Sequence, residues 1–307
     1  METKEYPVIW FQGAACSGCA VSVLNSVSPS IRNLLVDPVL PGKHVSLVFQ
    51  PTIMAGSGDA VMEATWDTAR TEKGAFLLVV EGAVPLEEEG LFCCVGEKGE
   101  RPIPLTESLE NLCGDALAVV ALGTCAAFGG IPAGKPNPTG CVSVRDFLEE
   151  KKIGTPLINL SGCPPHPDWF VGTVAQVLLS GLPDADQLDD TLRPRAFYGQ
   201  LIHENCPRRA YFDEGKFAQY PSDEGCLYEL GCKGPVTYAD CPTRRWNAAV
   251  SWCVGAGGPC SGCTQPEFPD VVAPLYEKIV DVDIPNIGEY WQQQKTANGA
   301  NYAKAEG

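Results

Sequence analysis

The chain has 307 residues, room for two domains at roughly 150 residues each. Its 22 Lys plus Arg against 38 Asp plus Glu leave a net charge of −16, and so acidic a surface repels phosphate backbones, which excludes nucleic acid as a partner. Hydrophobic residues at 45% and charged residues at 20% are globular proportions, and no apolar run approaches the length of about 18 residues that a transmembrane segment requires.

In chain order the first half alternates strand and helix. Short apolar runs at 8–12, 45–49, 76–80, 117–122 and 157–160 are rich in Val, Ile, Leu and Phe and bounded by Gly or Pro, which predicts strands buried on both faces. Helical stretches lie between and after them, at 20–35 with a break at Pro29, and at 59–70, 142–152 and 169–180. The alternation predicts an α/β fold with a doubly wound parallel sheet ending near Gly181. Residues 183–195 are polar and proline-bearing, a linker, and beyond them Gly, Pro and Cys displace the periodic apolar pattern. Such a half needs a staple, and seven of the 15 cysteines lie between Cys206 and Cys263. The expected domains are therefore 1–182, the sheet, and 183–307, a C-terminal region with little regular structure. The tail from Trp291 onward, rich in Gln, Asn, Ala and Lys, reads as exposed.

An odd count of cysteines argues against complete disulfide pairing, and their spacing points to ligation. Cys16-Ser-Gly-Cys19, Cys125 and Cys163 each follow an expected strand at its carboxyl end, where loops far apart in sequence converge on one crevice. Flanking glycines permit close backbone approach, and Pro164 and Pro165 set the chain direction after Cys163. Four thiolates around one point fit a tetrahedral zinc or an iron–sulfur cluster. The second half carries two more sets: His203 with Cys206, Cys226 and Cys232, and Cys241 with Cys253, Cys260 and Cys263. Structural zinc is the alternative for the His-containing set. Cys93, Cys94, Cys113 and Cys141 lack ligand-like context and read as small buried apolar residues. His166 is placed to hydrogen-bond near Cys163, to carry protons, or to serve as a cap or at an interface; Glu81, at the same sheet end, is a loop acceptor or a proton relay; His44 is a strand-edge residue. No Gly-x-Gly-x-x-Gly, phosphate loop or supported Ser/His/Asp arrangement is present, so nucleotide binding and hydrolysis have no residues to stand on.

Trp10-Phe-Gln-Gly, Cys16-Ser-Gly-Cys19, Glu81-Gly-Ala-Val-Pro, Gly123-Thr-Cys-Ala-Ala-Phe-Gly-Gly, Gly162-Cys-Pro-Pro-His-Pro-Asp-Trp, His203-Glu-Asn-Cys206-Pro, Gly231-Cys-Lys-Gly-Pro and Pro259-Cys-Ser-Gly-Cys occur in this order. Together they resemble the small subunit of nickel–iron hydrogenases, over residues 8–270. The resemblance implies a flavodoxin-like N-terminal domain and a C-terminal iron–sulfur domain. It implies a proximal [4Fe–4S] cluster on Cys16, Cys19, Cys125 and Cys163, a medial cluster on Cys241, Cys253, Cys260 and Cys263, and a distal [4Fe–4S] cluster on His203, Cys206, Cys226 and Cys232. The neutral His203 imidazole makes the distal cluster less negative and favours its reduced state. The resemblance places a nickel–iron centre in a separate large subunit, assigns this chain no catalytic residue, and makes it a relay between that centre and an external carrier such as a cytochrome c.

Where Cys253 stands, the commonest form of the family has proline and a [3Fe–4S] medial cluster; the extra thiolate implies [4Fe–4S], similar to the nickel–iron–selenium subgroup. The stretch Ala256-Gly-Gly-Pro-Cys260 is closer to ordinary nickel–iron sequences, so selenium in the partner is not inferred. Gly18 and Gly130 occupy the positions of two additional cysteines in oxygen-tolerant relatives, which implies an ordinary four-thiolate proximal site. Periplasmic residence of a processed chain is expected by the same resemblance, with the cytoplasm as the alternative. The competing functions are a cluster-bearing subunit of a quinone reductase-like complex, which the sets from His203 to Cys263 oppose, and a disulfide-stapled secreted protein, which the Cys-x-x-Cys loops oppose.

Overall fold

A computed structural model describes residues 4–30, 33, 43–270 and 272–278. Its strands are β1 (Lys4–Gln12), β2 (Lys43–Phe49), β3 (Leu77–Glu81), β4 (Val84–Pro85), β5 (Cys94–Lys98), β6 (Arg101–Pro104), β7 (Ala118–Leu122), β8 (Cys141–Val142) and β9 (Leu157–Leu160). Its helices are α1 (Gly18–Leu24), α2 (Asp59–Thr71), α3 (Leu105–Leu112), α4 (Thr124–Phe128), α5 (Val144–Glu150), α6 (Pro167–Ser180), α7 (Arg195–Tyr198), α8 (Arg209–Asp213) and α9 (Cys241–Arg244). Five strands pair in parallel in the order β2-β1-β3-β7-β9, the flavodoxin-like winding. The expected doubly wound sheet is therefore present, with His44 on its edge strand.

Strand alternation divides the core. Val8 and Trp10 of β1 pack with α1 and α6 on one face, and Ile9 and Phe11 pack with α2, α3 and α5 on the other. Because both faces are covered, every residue of β3 and β7 is buried, which is why those strands read as continuous apolar runs. Each large apolar side chain removed from water in this way contributes about 1.5–3 kcal/mol.

Helix ends follow local chemistry. The α6 helix starts with Pro167 in its first turn and the His166 ring accepting from the Asp168 amide, and stops at Gly181, whose φ is 88°. The α1 helix is shorter than the pattern at 20–35 suggests: the Asn25 amide turns back onto the Ser22 and Val23 carbonyls and the helix ends at Leu24. Residues 25–30 of that expected helix instead form turns and the Val27–Ser30 bridge, and of 31–35 only Asn33, helical, is among the described residues. The β5–β6 hairpin was not expected, because it is half exposed and lacks a core-facing alternation. Helix α3 was also missed, although Leu105, Leu109 and Leu112 carry a helical period and are buried.

The C-terminal half has only short helices and single 3-10 turns among its described residues. Its buried Tyr198, Ile202, Leu227 and Trp252 join the same apolar core as Val8, Trp10 and α6, so this half packs on the sheet domain and adds only a small cluster of its own around Phe212, Cys226 and Tyr228. The tail from Trp291 lies outside the described residues.

Candidate iron–sulfur sites

Cys16 follows β1 and Cys19 sits in the first turn of α1; Cys125 lies on α4 after β7, and Cys163 follows β9. All four are at the carboxyl ends of parallel strands, beside the point where strand order reverses between β1 and β3. Gly123 precedes α4 with φ of 91°, and a Cβ there would stand 2.5 Å from the Cys19 sulfur, so the close approach of two loops requires glycine. At Gly130, φ of 50° and a Cβ only 2.9 Å from the Cys125 backbone nitrogen oppose any side chain. Burial pushes the Cys19 thiol far above its ordinary pKa, and the charges of Glu81, Cys125, Cys16 and Cys163 add to this, which puts all five groups in one electrostatic neighbourhood. Burial likewise holds Cys125 up at about 11.

Glu81 ends β3 with no exposed surface. Its Oε2 accepts from Trp10 Nε1 at 3.1 Å, and its Oε1 accepts from the Cys19 and Ala20 amides at 3.1 Å each. The carboxylate thus clamps the start of α1 to the sheet, which supports the loop-acceptor reading. Burial raises its pKa against the lowering effect of those donors. Ser22 Oγ donates to the Pro165 carbonyl at 2.7 Å, fastening α1 to the loop after Cys163.

His166 is buried, its Nδ1 accepting from the Asp168 amide at 3.1 Å and its Nε2 donating to the Arg245 carbonyl at 2.7 Å. It is therefore a cap and an inter-loop tie, and burial lowers its pKa. Its ring lies against Trp169 and Trp246, and Trp169 Nε1 donates to Asp240 Oδ1 at 2.8 Å, directly before Cys241.

The remaining sets adjoin each other. Cys241 opens α9; burial raises its thiol strongly, with the charges of Cys263 and Cys253 contributing. Cys260 is raised by burial and then by Cys232, Cys263 and Cys241. Burial holds Cys263 at about 11, partly offset by the Cys163 backbone N–H at its sulfur. Thr124 Oγ1 donates to the Cys263 carbonyl and accepts from the Gly162 amide, while Ser161 Oγ and Arg193 Nη1 donate to the Thr264 carbonyl at 2.7 and 2.8 Å. Cys253 alone of this set is solvent-exposed.

His203 stands in the turn Ile202–Asn205 with its ring 4.5 Å from Phe212, edge-on. Its Nε2 is buried without a hydrogen-bond partner, and burial followed by the nearby Arg209 charge pulls its pKa to about 4. Burial pushes Cys226 up to about 12, with Cys232 and Cys206 adding charge. Cys232 Sγ accepts from the Cys260 amide at 3.3 Å.

All 15 cysteines are free thiols. Among the described residues no three His, Cys, Asp or Glu side chains converge on a point the size of one metal ion. Cys113 and Cys141 are buried as expected, but Cys94 is exposed on the β5–β6 hairpin and Cys93 is half-buried, so the vicinal pair is not core. Sequence reasoning passed over Lys233, Arg193 and Asp240; Lys233 had a visible signal, its place directly after Cys232.

Residues 198–276 match the family of C-terminal regions of NiFe/NiFeSe hydrogenase small subunits, and residues 16–177 match NADH ubiquinone oxidoreductase, 20 Kd subunit. The periplasmic [NiFeSe] hydrogenase small subunit of Desulfomicrobium baculatum is 46% identical over 89% of this chain and 87% of its own length. The periplasmic [NiFe] hydrogenase small subunit of Solidesulfovibrio fructosivorans is 41% identical over 88% and 81%. The solved Ni-Fe-Se hydrogenase of Desulfomicrobium baculatum superposes with a TM-score of 0.84 over 90% of this chain and 100% of that one, at 46% identity. The quinone-reductase alternative is not favoured, because its match stops at residue 177 while the hydrogenase relatives extend through both halves. No helix among the described residues is long and apolar enough to cross a membrane. This chain belongs to the small-subunit family of nickel–iron and nickel–iron–selenium hydrogenases, as one part of a heterodimeric enzyme.

Proposed function

We propose that this chain relays electrons through three [4Fe–4S] clusters, between a nickel–iron centre in the large subunit and an external redox carrier. The proximal site is Cys16, Cys19, Cys125 and Cys163; the medial site is Cys241, Cys253, Cys260 and Cys263; the distal site is His203, Cys206, Cys226 and Cys232. Residues 1–182 hold the first and 183–307 the other two. The observation that carries the order is how the ligand loops interlock: Thr124 Oγ1, one residue before Cys125, donates to the Cys263 carbonyl, and the Cys260 N–H donates to Cys232 Sγ at 3.3 Å. Each neighbouring pair of sites is thereby joined through one hydrogen bond.

The donor sets fit iron–sulfur clusters. Buried thiols at raised pKa ionise only beside a cation, and the orphaned His203 Nε2 is a neutral imidazole with a lone pair available for a metal. When bound, such clusters take up and release single electrons through iron valence changes. The chain's own residues hold the sites: Glu81 fixes the Cys19 loop, Thr124 ties the proximal loops to Cys263, and the Cys260 amide neutralises part of the charge at Cys232.

At the outer end Glu204, Asn205 and Pro207 are exposed around His203 and Cys206, which supports electron exit there. The net charge of −16 favours a basic carrier, such as a cytochrome c, with a salt-dependent encounter rate. Names of relatives that include "periplasmic" support residence in the periplasm.

The test is the visible spectrum of the anaerobically purified heterodimer before and after hydrogen. Bleaching of the iron–sulfur absorption is expected, with metal and sulfide analysis returning three clusters per heterodimer. Unchanged colour in a reactivated, iron-replete sample refutes the relay.

A further inference from the structure

We propose that Lys233 is a fixed positive charge set between the medial and distal sites, where it raises the reduction potentials of both; this rests on the relay reading above. Lys233 is only 2% exposed and ranks among the largest fully buried side chains of the described residues. It directly follows Cys232, and its backbone N–H donates to the Cys260 carbonyl at 2.7 Å, so its main chain touches one ligand loop of each site. Its stem lies along Gly262, where an added Cβ would meet Lys233 Cβ at 3.4 Å. Thr237 Oγ1 donates to the Lys233 carbonyl at 2.6 Å, which locks the backbone.

The ammonium donates to the backbone carbonyl of Glu277 at 2.5 Å rather than to a carboxylate. A buried cation is costly unless an anion faces it. Burial lowers its pKa, and the negative groups that act against this are Cys232, Glu277 and Cys260. Two of these three are ligands of different sites. The sequence neighbours Gly231 and Gly234 bring no competing charge. Arrival of one electron adds one negative charge to the medial or distal site; the electron comes from the adjoining site, no proton moves and no bond forms, and Lys233 keeps its proton throughout. A positive charge at close range in a low-dielectric interior favours that reduced state.

The test compares anaerobic heterodimers carrying wild-type chain, K233M and K233R, by iron and sulfide analysis and potentiometric titration followed by EPR. In K233M the ratio of reduced to oxidised medial and distal clusters at fixed potential is expected to fall about tenfold, which is 59 mV for a one-electron couple. The proximal cluster is expected to stay within error, and K233R to restore the wild-type values. Unchanged medial and distal potentials in an iron-replete K233M overturn the proposal, as does an equal shift at all three clusters or the same shift in K233R. If K233M loses medial and distal iron, retention in K233R supports the charge role, and loss in both overturns it in favour of packing. A wild-type heterodimer without three cluster signals defeats the relay reading itself, which is a separate result.

Discussion

Glu81 offers the sharpest test of how the proximal site is built. Glu81→Leu keeps most of the volume but removes the acceptor from three buried donors, Trp10 Nε1 and the Cys19 and Ala20 amides, each held at 3.1 Å. An orphaned buried donor costs about 1–3 kcal/mol, so three amount to about 3–9 kcal/mol. Loss of the carboxylate also relieves the burial penalty that raises its pKa, which brings the expected net loss to about 3–5 kcal/mol. Glu81→Gln keeps one oxygen for the two amides and turns an NH2 toward the indole N–H, a loss of about 1–3 kcal/mol. A cofactor-bearing heterodimer does not unfold in two states, so the assay is the apparent thermal midpoint at one scan rate, paired with iron content. The expected order is wild type, then Glu81→Gln, then Glu81→Leu, with the leucine variant short of proximal iron. An iron-replete Glu81→Leu of wild-type stability refutes the clamp. A stable Glu81→Gln whose hydrogen-driven reduction acquires a new pH profile instead identifies a proton relay.

Three further outcomes are expected. Cys253→Pro leaves Cys241, Cys260 and Cys263 at the medial site, and the oxidised heterodimer should gain the EPR signal of a three-iron cluster with a matching fall in iron content; no change in either removes Cys253 from the ligand set. Arg193 is buried, with Nε 2.8 Å from Asp189 Oδ2 and Nη1 2.8 Å from the Thr264 carbonyl, so Arg193→Met leaves Asp189 Oδ1 its Thr191 and backbone donors but removes the charge partner of Oδ2 and the donor to Thr264, and should cost about 1.5–3 kcal/mol and lower medial iron occupancy. Burial lowers the His166 pKa in the folded chain, so below the unfolded value of about 6.5 the unfolded state binds a proton that the folded state refuses. Stability from this group is complete above that pH and declines as pH falls, by at most about 1.4 kcal/mol per unit, until the folded value is passed. His166→Asn, which keeps an N-cap acceptor, should flatten the thermal midpoint between pH 7 and 5; an unchanged slope assigns acid sensitivity elsewhere.

Fold class was legible because the sheet is buried on both faces: runs such as 76–80 and 117–122 must then be apolar throughout, and their alternation with helical stretches leaves a parallel sheet as the economical reading. Ligand candidates were legible because thiols in Cys-x-x-Cys and strand-end contexts are scarce. The half-exposed β5–β6 hairpin was not, since a strand without a buried face carries no period to read. The exposure of Cys94 was hidden for the same reason.

What the sequence alone determined, then, is which residues are candidates: four thiols at three strand ends, and eight further donors beyond residue 200. Which candidates face one another was decided only by the tertiary structure. Thr124 meets Cys263 and Cys260 meets Cys232 across separations that no local rule spans, and Lys233 is buried between ligand loops although its residue type belongs on the surface. Local propensity and periodicity act over a few residues, whereas these contacts are set by how the C-terminal loops pack on the sheet's apolar face, through Tyr198, Trp252 and the hydrogen bonds of Ser161, Thr124 and Arg193.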